Sequence, residues 1–595
     1  MHRTGHSGSD QPPELLLHGG RITTLDAQDR EVTAVAIRGG RFVAAGSDAE
    51  ILPLAERATR RIDLRGQRVI PGLNDSHLHV IRGGLHYNLE LRWEGIPSLA
   101  EALARLRTQA ANTPPPQWVR VVGGWSEFQF RERRLPTLAE LNEAAPDTPV
   151  FVLHLYAGAL LNRAALRALG YERDLPVYPG SFVERDGAGR PTGLLLAKPS
   201  AMILYKTLAL APRLEAEDRA ISTRHFVREL NRLGVTSAID AGGGGQSYPD
   251  DYEVVTALAR AGELDLRIGF HLFAQNGGSE LADYTRWIAS TRAGSGDSLL
   301  RLVGAGENLT WSAADFENFL EPRPELAPTM EGQLEPIVRA LAAARWPFRI
   351  HATYEESIAR FLDVFERVDR VHPLRELRWF LDHAETISER SLARVKALGG
   401  GIAIQHRMAF QGEAFVARYG AAAARRSPPV RRMLELGLPV GAGTDATRVA
   451  SYDPWVCLHW LTTGKTLGGL ALYGEENLLD RKEALRLWTR GSAWFSGEEQ
   501  AKGAIAVGQH ADLAVLSRDY FAVPDAEIRA IHSELTLVGG RIAHTSGAFQ
   551  SVAPPPLPVS PSWSPSARFD AAAARTLLAA AELPGSDSGC DCTPM

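Results

Sequence analysis

Residues 71–79 of the chain read Pro-Gly-Leu-Asn-Asp-Ser-His-Leu-His. In an extended strand, side chains two positions apart point to the same side, so His77 and His79 are expected to project together. Over most of the chain that follows, apolar strands alternate with amphipathic helices, which is typical of a parallel α/β sheet or barrel. The functional residues of such barrels lie at the carboxyl ends of the strands. This stretch therefore predicts an α/β barrel with two imidazoles at its mouth.

Eight short apolar segments are the candidate barrel strands, and eight is the number that closes a (β/α)8 TIM-like barrel. They are residues 69–70, 236–240, 266–270, 301–303, 348–350, 379–381, 401–404 and 438–440. Two further strand candidates, 118–122 and 150–155, lie in the stretch from about 90 to 205. We interpret this stretch as a large insertion after strand 1. The count alone also allows these two strands to belong to the barrel.

Short strand-like segments separated by Gly-Gly or polar turns occur near both ends of the chain. The phrase Gly-Gly-Arg-Ile stands at 19–22 and again at 539–542. We expect one small β-sandwich built from both chain ends, and two unrelated hairpins are the alternative. The predicted units are the sandwich at 14–70 and 500–550, the barrel at 71–495 with its insertion at 90–205, and a Pro- and Ala-rich tail at 552–595.

Composition excludes several classes of protein. The 595 residues are 45% hydrophobic and 23% charged, which is typical of a globular chain and not of a disordered or fibrous one. A net charge of -5 provides no basic field to hold nucleic acid or anionic lipid. The three cysteines, Cys457, Cys590 and Cys592, are too few for a disulfide framework. With no apolar run long enough to span a bilayer, we expect a cytoplasmic protein.

Three further polar residues each follow an apolar strand. His351 comes after 348–350, His383 after 379–381, and Asp445 after 440–444. Because strand ends meet at one mouth of a barrel, these side chains are expected to join His77 and His79. Imidazole and carboxylate together suit zinc, manganese or iron. The alternative is that the later histidines only satisfy backbone groups of loops.

The chain resembles the amidohydrolase superfamily, in the branch that contains N-substituted formamide deformylases. The matching phrases are 71–79, 348–352, 382–385 and 443–446, with a sandwich phrase at 508–516, and the similarity covers about 14–545. It implies a metal-bearing (β/α)8 barrel that hydrolyses a carbon centre, commonly at an amide or other C–N bond. It also implies that Asp445 is a ligand and proton-transfer group, and that the remaining metal ligands are His77, His79, His351 and His383.

One position departs from the pattern of the superfamily. Two-metal members bridge their ions with a group from the fourth barrel strand, usually a carboxylated lysine. The predicted fourth strand and its end, 301–307, contain no lysine. Three alternatives remain open: Glu307 as a bridging carboxylate, Lys198 as a carboxylated lysine, or a site for a single metal. One or two divalent ions are expected, with zinc as the first choice.

The implied reaction uses water activated by the metal, and Asp445 passes its proton to the leaving nitrogen. His406 is a candidate donor to the oxyanion. Trp125, His154 and Tyr156 of the insertion are candidates to shape the substrate pocket, although packing roles are an alternative for all of them. We expect a metal-dependent amidohydrolase that cleaves a non-peptide C–N bond of a small organic molecule, with homo-oligomerisation left open. The alternatives are a deaminase on the same barrel and a catalytically inactive barrel that serves as a binding or scaffold protein.

Overall fold

The computed structural model describes residues 11–198 and 200–568. At its centre, eight parallel strands follow one another in chain order around a barrel. The amides of Thr444 and Asp445 donate hydrogen bonds to the His77 carbonyl, and the His79 amide donates to the Ala446 carbonyl, so the eighth strand returns to the first. The predicted α/β barrel is therefore confirmed. Its strands are Leu73–Leu78, Val235–Asp240, Arg267–Leu272, Leu300–Ala305, Phe348–Ala352, Trp379–His383, Gly401–Gln405 and Val440–Gly443.

Helices cover the outside of the barrel with their apolar faces turned inward. In Glu355–Asp369, for example, Ile358, Phe361 and Phe365 recur at helical spacing and are fully buried. The Phe365 ring packs against Phe348 of the neighbouring strand, 5.4 Å between centroids. The α-helices that accompany the barrel are Val80–His86, Ala216–Arg232, Glu253–Arg260, Glu280–Ser290, Met330–Ala343, Glu355–Asp369, Glu389–Ala397, Met408–Tyr419, Ala421–Ala424, Val430–Glu435, Pro454–Thr463, Arg481–Arg486 and Ser492–Phe495.

The first barrel strand is not the predicted segment 69–70, and that prediction was wrong. Arg68–Pro71 lies in a different sheet, where it pairs with Leu513–Leu516. The chain enters the barrel at Gly72, where a side-chain carbon would lie only 2.1 Å from the Thr236 hydroxyl oxygen. The true strand, Leu73–Leu78, is rich in polar residues, and a search for apolar segments therefore passes over it.

Residues 90–197 form a separate six-stranded sheet, none of whose strands belongs to the barrel sheet. Both extra strand candidates, near 118–122 and 150–155, lie in this sheet, so the barrel keeps eight strands. The strands are Glu90–Leu91, Val119–Val122, Val150–His154, Gly158–Leu161, Ser181–Arg185 and Pro191–Ala197. The helices of this region are Leu99–Asn112, Leu138–Ala144, Arg163–Leu169 and Met202–Ala209.

The two ends of the chain supply two more sheets. Val35 of one sheet and Leu537 of the other belong to the same buried hydrophobic cluster. The limits predicted for this unit, 14–70 and 500–550, stay predictions. The first sheet contains Leu15–His18, Ala34–Arg38, Arg41–Gly46 and Arg60–Asp63, with the helix Asp48–Ile51 beside it; the second contains Arg21–Thr23, Glu31–Val32, Arg68–Pro71, Leu513–Leu516, Ser533–Val538 and Arg541–Thr545.

The first part of the predicted tail packs back onto the body of the protein. The Ser564 hydroxyl donates a hydrogen bond of 2.7 Å to the Asn88 carbonyl, and Gln109 Nε2 donates one of 2.7 Å to the Trp563 carbonyl. Residues 569–595, which include Cys590 and Cys592, lie outside the described residues. Among the described helices, none combines the length and the apolar character that crossing a membrane requires.

Candidate metal centre

The carboxyl ends of the barrel strands bring His77, His79, Glu307, His383 and Asp445 into one buried cluster. His77 Nε2 lies 2.9 Å from Glu307 Oε2 and 3.4 Å from Asp445 Oδ1. His79 Nε2 lies 3.2 Å from the same Asp445 oxygen and 3.9 Å from Glu307 Oε1. His383 Nε2 lies 4.0 Å from Glu307 Oε2. Side chains from the first, fourth, sixth and eighth strand ends therefore face one another.

His351, at the end of the fifth strand, joins the cluster through His383. Its Nδ1 lies 2.9 Å from His383 Nε2, and its Nε2 lies 3.2 Å from the Thr353 hydroxyl. On the opposite side, His79 Nδ1 donates a hydrogen bond of 2.5 Å to the Gly242 carbonyl, which orients the ring with Nε2 facing Asp445. All four predicted histidines thus lie within one connected group.

The backbone at two strand ends has an unusual conformation. His383 and Asp445 have φ values of 79° and 57°, in the left-handed region that residues other than glycine seldom adopt. Just before Asp445, a side-chain carbon at Gly443 would lie 2.5 Å from both Asp75 Oδ1 and the His77 amide nitrogen. Only glycine fits this close approach, which holds the first and eighth strands together below the cluster.

Two sets of side chains could hold a metal ion: His77 with His79 and Asp445, and His77 with Glu307 and His383. In each set the ligand atoms lie within 4.8 Å of one another. Both ring nitrogens of His77 are buried beside carboxylate oxygens, Nε2 at 2.9 Å from Glu307 and Nδ1 at 3.1 Å from Asp382, but neither contact has the geometry of a hydrogen bond. Buried polar atoms are rarely left in this state, and imidazole and carboxylate are good ligands for divalent ions. The residues present therefore fit a divalent cation.

The charges around His77 support the same conclusion. Burial and the nearby Arg349 lower the pKa of His77, but the carboxylates of Asp382, Glu307 and Asp445 outweigh them and hold it well above its usual value. Three carboxylates thus face a single imidazole in a buried place. A bound cation would balance this excess of negative charge.

The other groups are in the protonation states that metal ligands need. Burial lowers the pKa of His351 to about 4, and burial together with Arg407 and His351 lowers the pKa of His383 well below its usual value. Both imidazoles are therefore neutral near pH 7. Burial raises the pKa of Asp445, but His77 and the other histidines outweigh burial and hold it well below the ordinary range, so this carboxyl is ionised.

An ion pair below the cluster was not anticipated from the sequence. Arg349 donates to both oxygens of Asp382 at 2.8 and 2.5 Å, and both side chains are fully buried. Asp382 Oδ1 lies 3.1 Å from His77 Nδ1, so the pair orients the imidazole at the centre of the cluster. The sequence held a signal, because an arginine inside the apolar segment 348–350 is rarely buried without a partner.

A second buried arginine, Arg407, borders the other side of the cluster. It donates to Glu385 Oε1 at 2.8 Å, contacts Glu317, and has one nitrogen 3.7 Å from Asp445 Oδ2. Glu385 lies in the phrase 382–385, which could have indicated it. Glu317 lies in the loop after the fourth strand and carries no sequence signal.

Lys198 is not brought to the cluster. Its side chain is exposed, and its Nζ lies over the Phe182 ring, 5.2 Å from the centroid. Neither set of candidate ligands includes it. Lys198 follows the strand Pro191–Ala197 of the inserted sheet, not a barrel strand, and this explains why it faces solvent. The structure therefore gives no support to a carboxylated lysine at this position.

A cavity of about 860 Å³ opens beside His79 and Glu307. Of the three pocket residues predicted in the insertion, Tyr156 lines it, while Trp125 and His154 are not among its lining residues. Trp125 is fully buried in the core of the inserted sheet, and His154 Nε2 contacts a Glu127 oxygen at 2.7 Å. Trp125 and His154 therefore pack and stabilise the insertion.

His406 directly follows the seventh strand and is fully buried. Its Nδ1 lies 3.5 Å from the Gly443 carbonyl and its Nε2 has no hydrogen-bond partner. Burial lowers its pKa to about 4, so the ring is neutral near pH 7. It is not among the residues that line the cavity.

Comparison with known proteins gives the same picture. Residues 60–544 match the model of the Amidohydrolase family. N-substituted formamide deformylase from Arthrobacter pascens is 26% identical over 554 residues, covering 89% of this chain and 98% of that protein. The YtcJ protein of Bacillus subtilis (strain 168) is 25% identical over 550 residues, covering 89% and 99%. An uncharacterized metal-dependent hydrolase from Pyrococcus horikoshii OT3 has a similar fold, with a TM-score of 0.62, 20% identity, and coverage of 86% of this chain and 99% of that one.

The family model spans most of the chain, residues 60–544 of 595. The chain therefore belongs to the amidohydrolase family. It is accordingly a hydrolase that acts on carbon–nitrogen bonds, and the residues gathered at the strand ends support a divalent metal.

Proposed function

We propose that this protein is a metal-dependent amidohydrolase that cleaves a non-peptide, amide-type C–N bond of a small organic molecule with water. One observation carries the proposal: two sets of buried imidazole and carboxylate side chains, which share His77, converge at the carboxyl ends of barrel strands, and in each set the ligand atoms lie within 4.8 Å of one another. Active sites of such barrels lie at this face.

The proposed ligands are the members of the two candidate sets: His77, His79, Asp445, Glu307 and His383. Glu307 is the group we assign to the bridging position, because it contacts His77 and lies within 4.0 Å of both His79 and His383. Zinc is the proposed ion, since its sites combine imidazole with carboxylate. A divalent cation held there supplies Lewis-acid activation and lowers the pKa of a water molecule to about 7.

Asp445 is the proposed proton carrier. Its carboxylate is ionised near pH 7, and its Oδ2 is held 3.7 Å from Arg407. It accepts a proton from the attacking water as the C–O bond forms, and it returns a proton to the nitrogen as the C–N bond breaks. The donor role predicted for His406 stays a prediction, because this residue is not among those that line the cavity.

The substrate occupies the cavity beside His79 and Glu307. A volume of about 860 Å³ accommodates a small organic molecule. The similarity to an N-substituted formamide deformylase makes N-formyl compounds the first class to test, with N-acyl compounds and cyclic amides next.

The test combines metal analysis with a substrate panel. Full-length protein purified from zinc-supplemented medium is assayed for bound metal, and N-formyl, N-acyl and cyclic amides are followed for release of acid, amine and ammonia. We expect bound zinc and release of a carboxylic acid with an amine. His77→Ala and Asp445→Ala should abolish turnover, because each removes a ligand present in a candidate set. His372→Ala, at a partly exposed position, is the matched control and should retain activity.

Three results would contradict the proposal. Absence of stoichiometric metal would favour a catalytically inactive scaffold. Release of ammonia from ring or amidine carbons, without acid, would favour a deaminase. Wild-type turnover by His77→Ala or Asp445→Ala, with unchanged melting temperature, would show that the site is elsewhere.

A further inference from the structure

One end of the cavity carries a concentration of positive charge that the proposed reaction does not use. Arg82 follows His79 on the helix Val80–His86, Arg120 lies on the inserted strand Val119–Val122, and Arg448 follows Asp445 in the loop after the eighth strand. All three line the same cavity as His79. Arg82 is 7% exposed and Arg120 3% exposed.

These guanidinium groups are only partly satisfied. The Nε and Nη2 of Arg82 and the Nε of Arg120 are buried without a hydrogen-bond partner. Arg120 donates through Nη2 to the Pro212 carbonyl, which provides no charge. The Arg448 guanidinium lies over the Tyr205 ring, 4.7 Å from its centroid. Within the described chain, none of the ion pairs involves these three arginines.

Glu90, a carboxylate that lines the cavity beside these arginines, is already matched. Glu90 Oε2 accepts a hydrogen bond of 2.5 Å from Arg92, a fourth arginine. The positive charge also affects the neighbouring ring of His86. Burial is the largest cause that lowers its pKa, and the charges of Arg120, Arg448 and Arg82 lower it further, to about 3. Buried cations without counter-ions are costly, so this end of the cavity is suited to an anion.

The arginines and the candidate metal centre border the same space. A side-chain carbon at Gly243 would lie 3.0 Å from Arg82 Nη1 and 3.2 Å from His79 Nδ1. A single small molecule can therefore contact the guanidinium at one end while its scissile bond lies near the metal ligands. Tyr156 and Tyr205, whose rings are 5.7 Å apart, form an aromatic wall of the same cavity.

We propose that Arg82, Arg120 and Arg448 form a subsite for a carboxylate on the substrate, so that the preferred substrates are amides that also carry a free carboxylate, such as N-formyl or N-acyl amino acids. This inference rests on the proposed C–N hydrolysis. Guanidinium groups recognise carboxylates by charge-assisted, often paired hydrogen bonds.

The kinetic test compares two matched substrates on the zinc-loaded, full-length enzyme: N-formylphenylalanine and its uncharged analogue N-formylphenylalaninamide, both followed by formate release. We expect wild-type kcat/KM to favour the acid at least about tenfold, and this ratio to fall at least about tenfold in Arg82→Met or Arg120→Met, because a charge-assisted contact is lost. Arg163→Met removes an exposed positive charge from the same inserted region and should leave the ratio within about twofold of wild type. If circular dichroism shows that Arg82→Met does not fold, the acid-to-amide ratio of kcat/KM in Arg120→Met decides the test.

A binding test keeps the carboxylate subsite separate from the proposed activity. Isothermal titration measures benzoate and benzamide on the same proteins without turnover. Benzoate is expected to bind wild type more tightly than benzamide, and to lose at least about tenfold in affinity in Arg82→Met. If neither formyl compound is hydrolysed but this binding pattern holds, the subsite stands and the proposed substrate class fails. An acid-to-amide ratio near one, or benzoate binding unchanged in Arg82→Met and Arg120→Met, would overturn the subsite.

Discussion

Replacing Asp512 by asparagine tests how the terminal sheets are attached to the barrel. Arg267 of the third barrel strand donates to both oxygens of Asp512 at 2.7 and 3.0 Å, and each side chain is 4% exposed. The Gly539 amide also donates to Asp512 Oδ1, at 2.7 Å. Asp512→Asn keeps the shape and the bond from Gly539, but it leaves the guanidinium buried without a counter-charge.

The expected loss follows from this burial. Breaking a buried ion pair by removing one partner costs about 3–5 kcal/mol. If the 595 residues unfold as one unit, the entropy of unfolding is about 1.2 kcal/mol per kelvin. The melting temperature should therefore fall by about 2–4 °C, and differential scanning calorimetry resolves a change of this size.

Two further variants make the result interpretable. The double variant Arg267→Met, Asp512→Asn should recover part of the loss, since no buried charge is left unmatched. Glu389→Gln breaks an ion pair with Arg432 whose side chains are 59% and 44% exposed, and it should not measurably change the melting temperature. If Asp512→Asn has the same melting temperature as Glu389→Gln, the buried ion pair does not stabilise the junction between the barrel and the terminal sheets, and the reasoning is refuted.

Three other changes have defined outcomes. Glu307→Gln should weaken zinc binding at least about tenfold in a chelator competition, and unchanged affinity would remove Glu307 from the ligand set. Gly306→Ala should lower the urea concentration at the midpoint of unfolding, because φ of Gly306 is 125° and the added carbon would lie 2.3 Å from the Arg349 carbonyl oxygen. The control Gly332→Ala, at an open helical position, should raise the free energy of unfolding by about 0.5–1 kcal/mol. Burial raises the pKa of Glu498, but Lys502 at 2.7 Å and its other partners outweigh burial and lower it from 4.5 to about 2. Because the pKa of Glu498 is lower in the folded protein, its stabilisation is present above about pH 4.5 and is lost as the pH falls toward 2. The difference in free energy of unfolding between wild type and Glu498→Gln should therefore shrink by about 3 kcal/mol over that range. A difference that does not depend on pH would contradict the assignment.

The sequence predicted the barrel and most of its polar cluster because of one regularity. His351, His383 and Asp445 each stand directly after an apolar strand, and parallel strand ends meet at one face. The same rule failed for the first strand, since Leu73–Leu78 is largely polar and the apolar segment before it belongs to another sheet. Polar side chains are tolerated there because they find partners, as where the Thr444 hydroxyl at the end of the adjacent eighth strand donates a hydrogen bond of 2.6 Å to Asp75.

Other features depend on contacts that no local pattern encodes. Lys198 looked suitable because its segment is apolar, but that segment belongs to the inserted sheet and leaves the lysine exposed. Glu317 meets Arg407 only after a long loop has folded over the strand ends. The arginines of the cavity come from a helix, an inserted strand and a loop, so only the tertiary structure shows that they share a space.

Gly72 connects the first barrel strand, which carries His77, to a strand that pairs with a segment near the far end of the polypeptide. Arg68–Pro71 is held on one side by Leu513–Leu516, and six residues after Pro71 the same backbone presents His77. During synthesis at about 5–20 residues per second, a separation of roughly 440 residues delays this pairing by tens of seconds. The sheet that adjoins the start of the first barrel strand is therefore completed only near the end of translation.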